Sequence, residues 1–233
     1  VYNPSVLPPN FTLSAYQEVF AKYPLLRFLG NSFLVSSLVT LGVLLVSSCT
    51  AYALARISSR VTAVFFALVI GLLLVPGEVT FLPLYIIVNR LNWTDTYLAL
   101  TLPFVASPIG IFLLRQFFKS LPQELFDAAK MDGAGHLRML WFVAIPLALP
   151  AMGALAALTF LGTWNMYLWP LVVTNSENNR TAQIALRFIS SDEAVRYNLV
   201  AAAAVVILLP TLIAFLFAQR AFVRGVAMGG LKG

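Results

Sequence analysis

Residues 124–150 read ELFDAAKMDGAGHLRMLWFVAIPLALP, a charged and helix-forming passage in an otherwise greasy chain. It lies between two hydrophobic runs that are each long enough to span a bilayer. Ser120 and Gln123 have capping-box spacing, and Pro122 sits where a first helical turn tolerates proline. Helix is therefore expected through Asp127–Met131. Asp132-Gly133 breaks it, because Asp favours caps and turns and Gly resists helix. A second short helix follows from about Ala134 to Phe142, and Ile145-Pro146 is expected to end it and open the next span. Two short helices meeting at a glycine make a compact knuckle that can press into a groove on another protein.

Working outward, 60% of the 233 residues are apolar and 10% are charged, whereas soluble domains carry roughly a quarter charged residues. The expectation is an all-α, polytopic membrane helical bundle. The first span covers about Phe28–Ala55 and is dotted with small residues such as Gly42 and Ser47, which let helices approach closely. The second starts near Val61 and reaches Asn92 only with a kink at Pro76-Gly77, since about 30 helical residues exceed the ~30 Å hydrocarbon core. The third runs from about Thr96 to Phe118, the fourth from about Pro146 to Val173 and the fifth from about Asn198 to Phe222.

Charge sets the orientation. Arg56, Arg60, Arg115, Lys119, Lys130, Arg138, Arg220, Arg224 and Lys232 fall on one side of this topology, against only Glu124, Asp127 and Asp132. That is the positive-inside bias of a membrane protein, not a stripe for nucleic acid. The knuckle and C-terminus are thus placed in the cytoplasm, and residues 1–27 outside. An exported N-terminal segment needs something to export it, and the chain begins at Val1. A missing upstream span is therefore expected, for five visible spans plus one.

The lone Cys49 and the lone His136 build neither a disulfide framework nor a metal site, and His136 is expected to be solvated on the knuckle. No G-x-x-x-x-G-K-[ST] phosphate loop occurs, so ATP and Mg must be bound by other chains, and this one is not expected to be an enzyme. A substrate path is expected where Glu78 and the group Trp164, Asn165 and Tyr167 reach a similar height in the membrane. Rings stack on sugar faces, and an acid and an amide bind hydroxyls. The competing reading of the aromatics is an interfacial belt, with Glu78 reaching headgroup water.

The order Asp127-Ala128-Ala129, Asp132-Gly133-Ala134 and Ile145-Pro146 resembles the "EAA" cytoplasmic loop of permease subunits of binding-protein-dependent ABC importers, with Asp replacing the usual leading Glu. The resemblance runs through Asn31-Ser32, Pro76-Gly77-Glu78, Pro83-Leu84-Tyr85, Phe112–Phe118, Gly162–Asn165, Trp169-Pro170 and Gln219-Arg220. It is nearest the carbohydrate-type branch of maltose and glycerol-phosphate permeases. It implies six spans, a transmembrane domain over 28–233, a coupling loop at 120–145 and a cytoplasmic tail at 221–233. It also implies a second homologous permease subunit, two ATP-binding cassette subunits and an extracytoplasmic solute-binding protein, in a bacterial or archaeal cytoplasmic membrane. The ATPase-coupling residues would be Glu124, Asp127, Ala128, Ala129, Asp132, Gly133, Ala134, Ile145 and Pro146, with Lys232 and Gly233 touching the ATPases from the tail. Helix capping is the alternative role of the two Asp residues. A secondary transporter or channel for small polar solutes is the alternative function. That class usually shows inverted repeats or mid-membrane ionisable residues, and here only Glu78 qualifies.

Overall fold

The computed structural model describes residues 12–190 and 196–229, with side-chain surroundings up to Ile213 and at Leu216. All regular elements among them are helical. A short α1 (Ser14–Lys22) leads through Pro24 into α2 (Leu25–Arg56). Helix α2 is the spine, and it packs on α6 (Pro108–Ser120) and α9 (Ile145–Trp164). Its small residues sit where neighbours come close. A methyl group on Gly42 would lie 2.5 Å from Val105 Cγ1, and one on Gly110 of α6 would lie 2.7 Å from Ser47 Oγ. Val35, Val39, Val43, Leu114, Phe118 and Leu155 fill the core between these helices.

The second span is not a kinked rod. It ends as α3 (Arg60–Leu73), restarts as α4 (Gly77–Arg90), and bends by 103° between them. Pro76 supplies no amide and takes ψ 137°, outside the helical region, while a residue before proline is itself turned away from helix. Each half of 14 residues is about 21 Å long, too short to cross alone.

The third span is also segmented, into α5 (Tyr97–Thr101), a 3-10 turn at Leu102–Phe104, and α6. The knuckle follows as α7 (Gln123–Met131) and α8 (His136–Met139). Two expectations fail here. Ser120 does not cap α7; its hydroxyl donates to Phe117 O at the end of α6, and Pro122 occupies the cap position of α7. Nor does Ile145-Pro146 end a helix, since α8 runs through a π turn at Leu140–Ala144 straight into α9, an unbroken rod from His136 to Trp164. The wider π turn displaces the carbonyls that the Pro146 ring would otherwise strike.

Beyond Trp164 come α10 (Leu168–Val173), α11 (Ala182–Ser190) and α12 (Tyr197–Gly229). The fourth span therefore starts and stops earlier than expected, running from His136 to Trp164. Among the described residues three helical stretches are long and apolar enough to cross a membrane, namely Leu25–Arg56, Tyr97–Ser120 and His136–Trp164. The bent pair makes a fourth, and Tyr197–Ile213 is a shorter apolar helix. Lys232 and Gly233 lie outside the described residues.

A polar knot closes the end opposite the knuckle. Asn31 Nδ2 donates to Asn178 O (2.7 Å) and Arg180 O (2.8 Å), Asn31 Oδ1 accepts from the Tyr97 hydroxyl (2.7 Å), and Ser32 Oγ accepts from Ala182 N (2.8 Å). Next to it Asp95, at φ 59°, accepts from the amides of Asn175 and Ser176, both at 3.1 Å. Burial works against the Asp95 charge, but hydrogen bonds from Ser176, Asn179 and Asn175 outweigh it and hold the carboxyl below its ordinary pKa.

Candidate functional site

The knuckle is fixed from one side by the end of α2. Phe126 is the buried residue of α7, and its ring faces Tyr52 at 6.4 Å, with Phe118 and His136 completing the ring cluster at 6.3 and 6.2 Å from Tyr52. The Arg56 guanidinium stacks 3.7 Å above Phe126. It donates to Phe118 O (2.6 Å) and Leu121 O (3.0 Å), which end α6, and to Gln123 Oε1 (2.7 Å), which starts α7. Gln123 in turn donates to Asp127 Oδ1 at 3.0 Å. One arginine thus ties the last turn of one helix to the first turn of the next, and its planar fork suits that task better than an ammonium.

The glycine break is as expected. Gly133 takes φ 76°, a left-handed conformation that costs an L-residue roughly 1–2 kcal/mol. Its amide and that of Ala134 close α7 onto Lys130 O and Ala129 O, a glycine-terminated helix end. Ala129 and Ala134 are half-buried against the core, while Glu124, Asp127, Ala128, Asp132 and Gly133 are exposed. So are the apolar Leu125, Met131 (84%) and Leu137 (72%). Asp132 lies at the C-terminal end of α7 and makes no side-chain hydrogen bond or ion pair among the described residues. Its charge there opposes the helix dipole, so local helix energetics do not account for it. Ile145 and Pro146 are internal to the rod. His136 is exposed as expected, yet its Nδ1 lies 3.5 Å from the Tyr52 hydroxyl.

The four residues expected along a solute path separate. Glu78 and Tyr167 line one cavity of about 600 Å³, with Thr80, Phe81, Phe104 and Trp169. Trp169 forms its wall, edge-on to Phe81 and Phe104 at 5.6 and 5.8 Å, with its indole N–H bound to Ala99 O at 2.9 Å. Trp164 is not part of it: the ring is buried, and its N–H donates to Ile207 O of α12 at 3.3 Å. Asn165 points to α11, where its Oδ1 accepts from Gln183 at 3.1 Å. Glu78 is exposed in the first turn of α4, where an acid complements the helix dipole. Sequence reasoning missed Tyr52, Arg56, Gln123 and Phe126. The signal available was Arg56 at the end of a span and Phe126 as the aromatic residue of α7.

A segmented helical membrane bundle with a clamped helix pair at one end and a cavity at its broken helix defines a transport permease. The chain belongs to the family described as binding-protein-dependent transport system inner membrane component, which it matches over residues 26–228. It is 36% identical over 227 residues to an arabinooligosaccharides transport system permease protein of Halalkalibacterium halodurans, covering 97% of this chain and 81% of that protein. It is 39% identical over 199 residues to an sn-glycerol-3-phosphate transport system permease protein of Yersinia enterocolitica, covering 84% and 71%. Among solved structures, a bacterial ABC transporter involved in the import of the acidic polysaccharide alginate superposes with a TM-score of 0.84 at 25% identity, covering 92% of this chain and 81% of that one. A chain of the alginate transporter in complex with an alginate pentasaccharide-bound periplasmic protein shares the fold, with a TM-score of 0.68 at 13% identity over 91% of this chain and 81% of that one. The chain is thus a transmembrane permease component, not an ATPase.

Proposed function

We propose that this chain is the permease subunit of an ATP-driven importer that moves a sugar or related polar solute inward. It receives the solute from an extracytoplasmic solute-binding protein and works with a second homologous permease and two ATP-binding cassette subunits, which bind ATP and Mg. The knuckle and C-terminus face the cytoplasm of a bacterial or archaeal cell, and α1 lies on the outer side. The observation that carries this is the two-sided build of the knuckle. Its inner face is clamped by Tyr52, Arg56 and Phe126, while Leu125, Ala128, Met131, Asp132 and Leu137 are left open for a partner. Closure of the ATPase pair would displace α7, and the rod from His136 to Trp164 would carry the displacement into the membrane.

The relatives are named for arabino-oligosaccharides and for glycerol phosphate. A carboxylate, a phenol, a threonine hydroxyl and aromatic rings line the cavity, with no cation among the lining residues. That chemistry favours a neutral saccharide over a phosphate ester. The test is uptake into proteoliposomes holding the whole complex with its binding protein inside-oriented and outside-oriented in separate preparations. Saccharide uptake should require ATP on the knuckle side, and a cysteine at Met131→Cys should cross-link to the ATPase. Uptake that continues with ATP hydrolysis blocked would refute the reading.

A further inference from the structure

A second polar cavity opens beside the clamp, where the ends of α2, α3 and α6 meet. It has about 200 Å³ and is lined by the hydroxyl residues Ser58, Ser59 and Thr62, by Arg115 and Lys119, and by the apolar Leu54, Ala55, Ile57 and Ala63. No carboxylate lines it. Arg115 is firmly placed: its guanidinium lies 3.4 Å over the Phe66 ring, and its Nε donates to Leu54 O at 3.1 Å. That one bond leaves the terminal nitrogens of its fork unused. Neither Arg115 nor Lys119 has an ion pair among the described residues. The hydroxyls of Ser59 and Thr62 are engaged in the cap of α3, so the recognition falls to Arg115 and Lys119. Two cations in one cleft without a counter-charge are set for an anion, and an oriented guanidinium suits phosphate oxygens.

The mouth of the cleft adds a second, independent feature. Along α3, Val61 (64%), Val64 (59%), Phe65 (59%) and Leu68 (58%) are exposed at helical spacing, forming one apolar stripe that begins beside the cleft. A phosphate that carries hydrocarbon would place its headgroup on Arg115 and Lys119 and its chains along this stripe. The apolar track on α3 thus begins at the cleft, whose two cations come from the neighbouring α6.

We propose that this cleft binds the phosphodiester headgroup of an anionic phospholipid from the leaflet on the coupling-loop side. The proposal rests on the reading of the chain as a membrane component with that loop at the membrane face. It does not depend on ATP coupling or on the solute. A bound lipid would neutralise Arg115, which holds the α2 carbonyl two residues before Arg56, and so would brace the base of the clamp.

Native mass spectrometry of the complete transporter, delipidated in mild detergent and titrated with phosphatidylglycerol, phosphatidylcholine or inorganic phosphate, tests this. Phosphatidylglycerol should be retained, and phosphatidylcholine should not. Lys119→Gln should weaken phosphatidylglycerol about fivefold, from roughly 1 kcal/mol per basic residue at an anionic membrane surface. Arg115→Gln should weaken it at least as much, but Arg115 also packs on Phe66, so Lys119→Gln carries the test if that variant fails to fold. Phe65→Ser should weaken the lipid and leave phosphate unaffected. Unchanged phosphatidylglycerol binding in Lys119→Gln would overturn the proposal. So would displacement of the lipid by inorganic phosphate together with indifference to Phe65→Ser, which would make the ligand a free phosphate. The titration involves neither ATP nor transport, so its failure is separate from failure of the importer reading.

Discussion

Replacing Arg56 with alanine should disconnect the knuckle from the spine while the spans stay in place. The side chain makes three hydrogen bonds, to Phe118 O, Leu121 O and Gln123 Oε1, and covers the Phe126 ring. Charge-assisted hydrogen bonds are worth ~1.5–3 kcal/mol each when fully desolvated. Arg56 is only half-buried and its acceptors regain water, so about 1 kcal/mol each is the fitting figure. The ring contact adds ~0.5–1 kcal/mol at such a site. The local loss is then about 3–4 kcal/mol, which raises the open population of the knuckle by a factor on the order of 100 or more. Hydrogen–deuterium exchange of the amides in 123–131 reads this directly, beside ATP-dependent uptake at matched membrane levels. Exchange in α7 should accelerate about 100-fold, uptake should collapse, and the amides of α2 and α9 should stay protected. Lys at this position should fall between, because an ammonium reaches fewer of the three acceptors at once. Wild-type exchange in α7 together with wild-type uptake in Arg56→Ala would refute the clamp.

Gly133→Ala should lower coupled uptake without lowering the amount of chain in the membrane. A methyl there meets nothing within 4 Å, so the cost is the left-handed backbone alone, roughly 1–2 kcal/mol. Gly133→Pro, with φ fixed near −65°, should abolish uptake. For Asp95 the folded pKa is lowered, so its contribution to holding the Asn175-Ser176 turn is complete above the ordinary carboxylate value of about 3.9 and is lost as pH falls through the lowered folded value. Amide exchange at Asn175 and Ser176 should therefore accelerate in acid, and Asp95→Asn should remove that pH dependence. Tyr167→Ala should raise KM for the saccharide about fivefold, from loss of a stacking contact of ~1 kcal/mol, with kcat little changed. Trp164→Phe, on the buried side of its helix, should lower thermal stability and leave KM alone.

The elements that local chemistry dictates were legible from the residues. Long apolar runs announced the spans, Pro76-Gly77 announced the break, and Asp132-Gly133 announced the turn between α7 and α8. What depends on distant neighbours was not. A proline reports that a helix stops, but the 103° that follows is set by how α4 settles on the rest of the fold. Ile145-Pro146 looked like a boundary because a regular helix rejects proline, and a π turn one residue upstream removed the objection. Height along a span brought Glu78 and Tyr167 together, yet height says nothing of facing, and Trp164 turned out to face α12. The bonds of Arg56 join residues 62 to 67 positions apart, beyond the reach of any local pattern.

On the proposed coupling, the uninterrupted helix from His136 to Trp164 gives the permease a mechanical gain. Its 29 residues make a lever of about 43 Å, so a tilt of about 5° at the knuckle sweeps the far end through ~4 Å. That far end leads into Met166 and Tyr167, which line the cavity beside α4. The π turn at Leu140–Ala144 and the interior Pro150 both sit towards the driven end, and residues 151–164 beyond them carry no proline. Compliance placed near the hinge alters the angle at which the arm is driven but not the stiffness of the arm. Substitutions that straighten this turn therefore change the stroke, whereas those that soften the rod further along dissipate it.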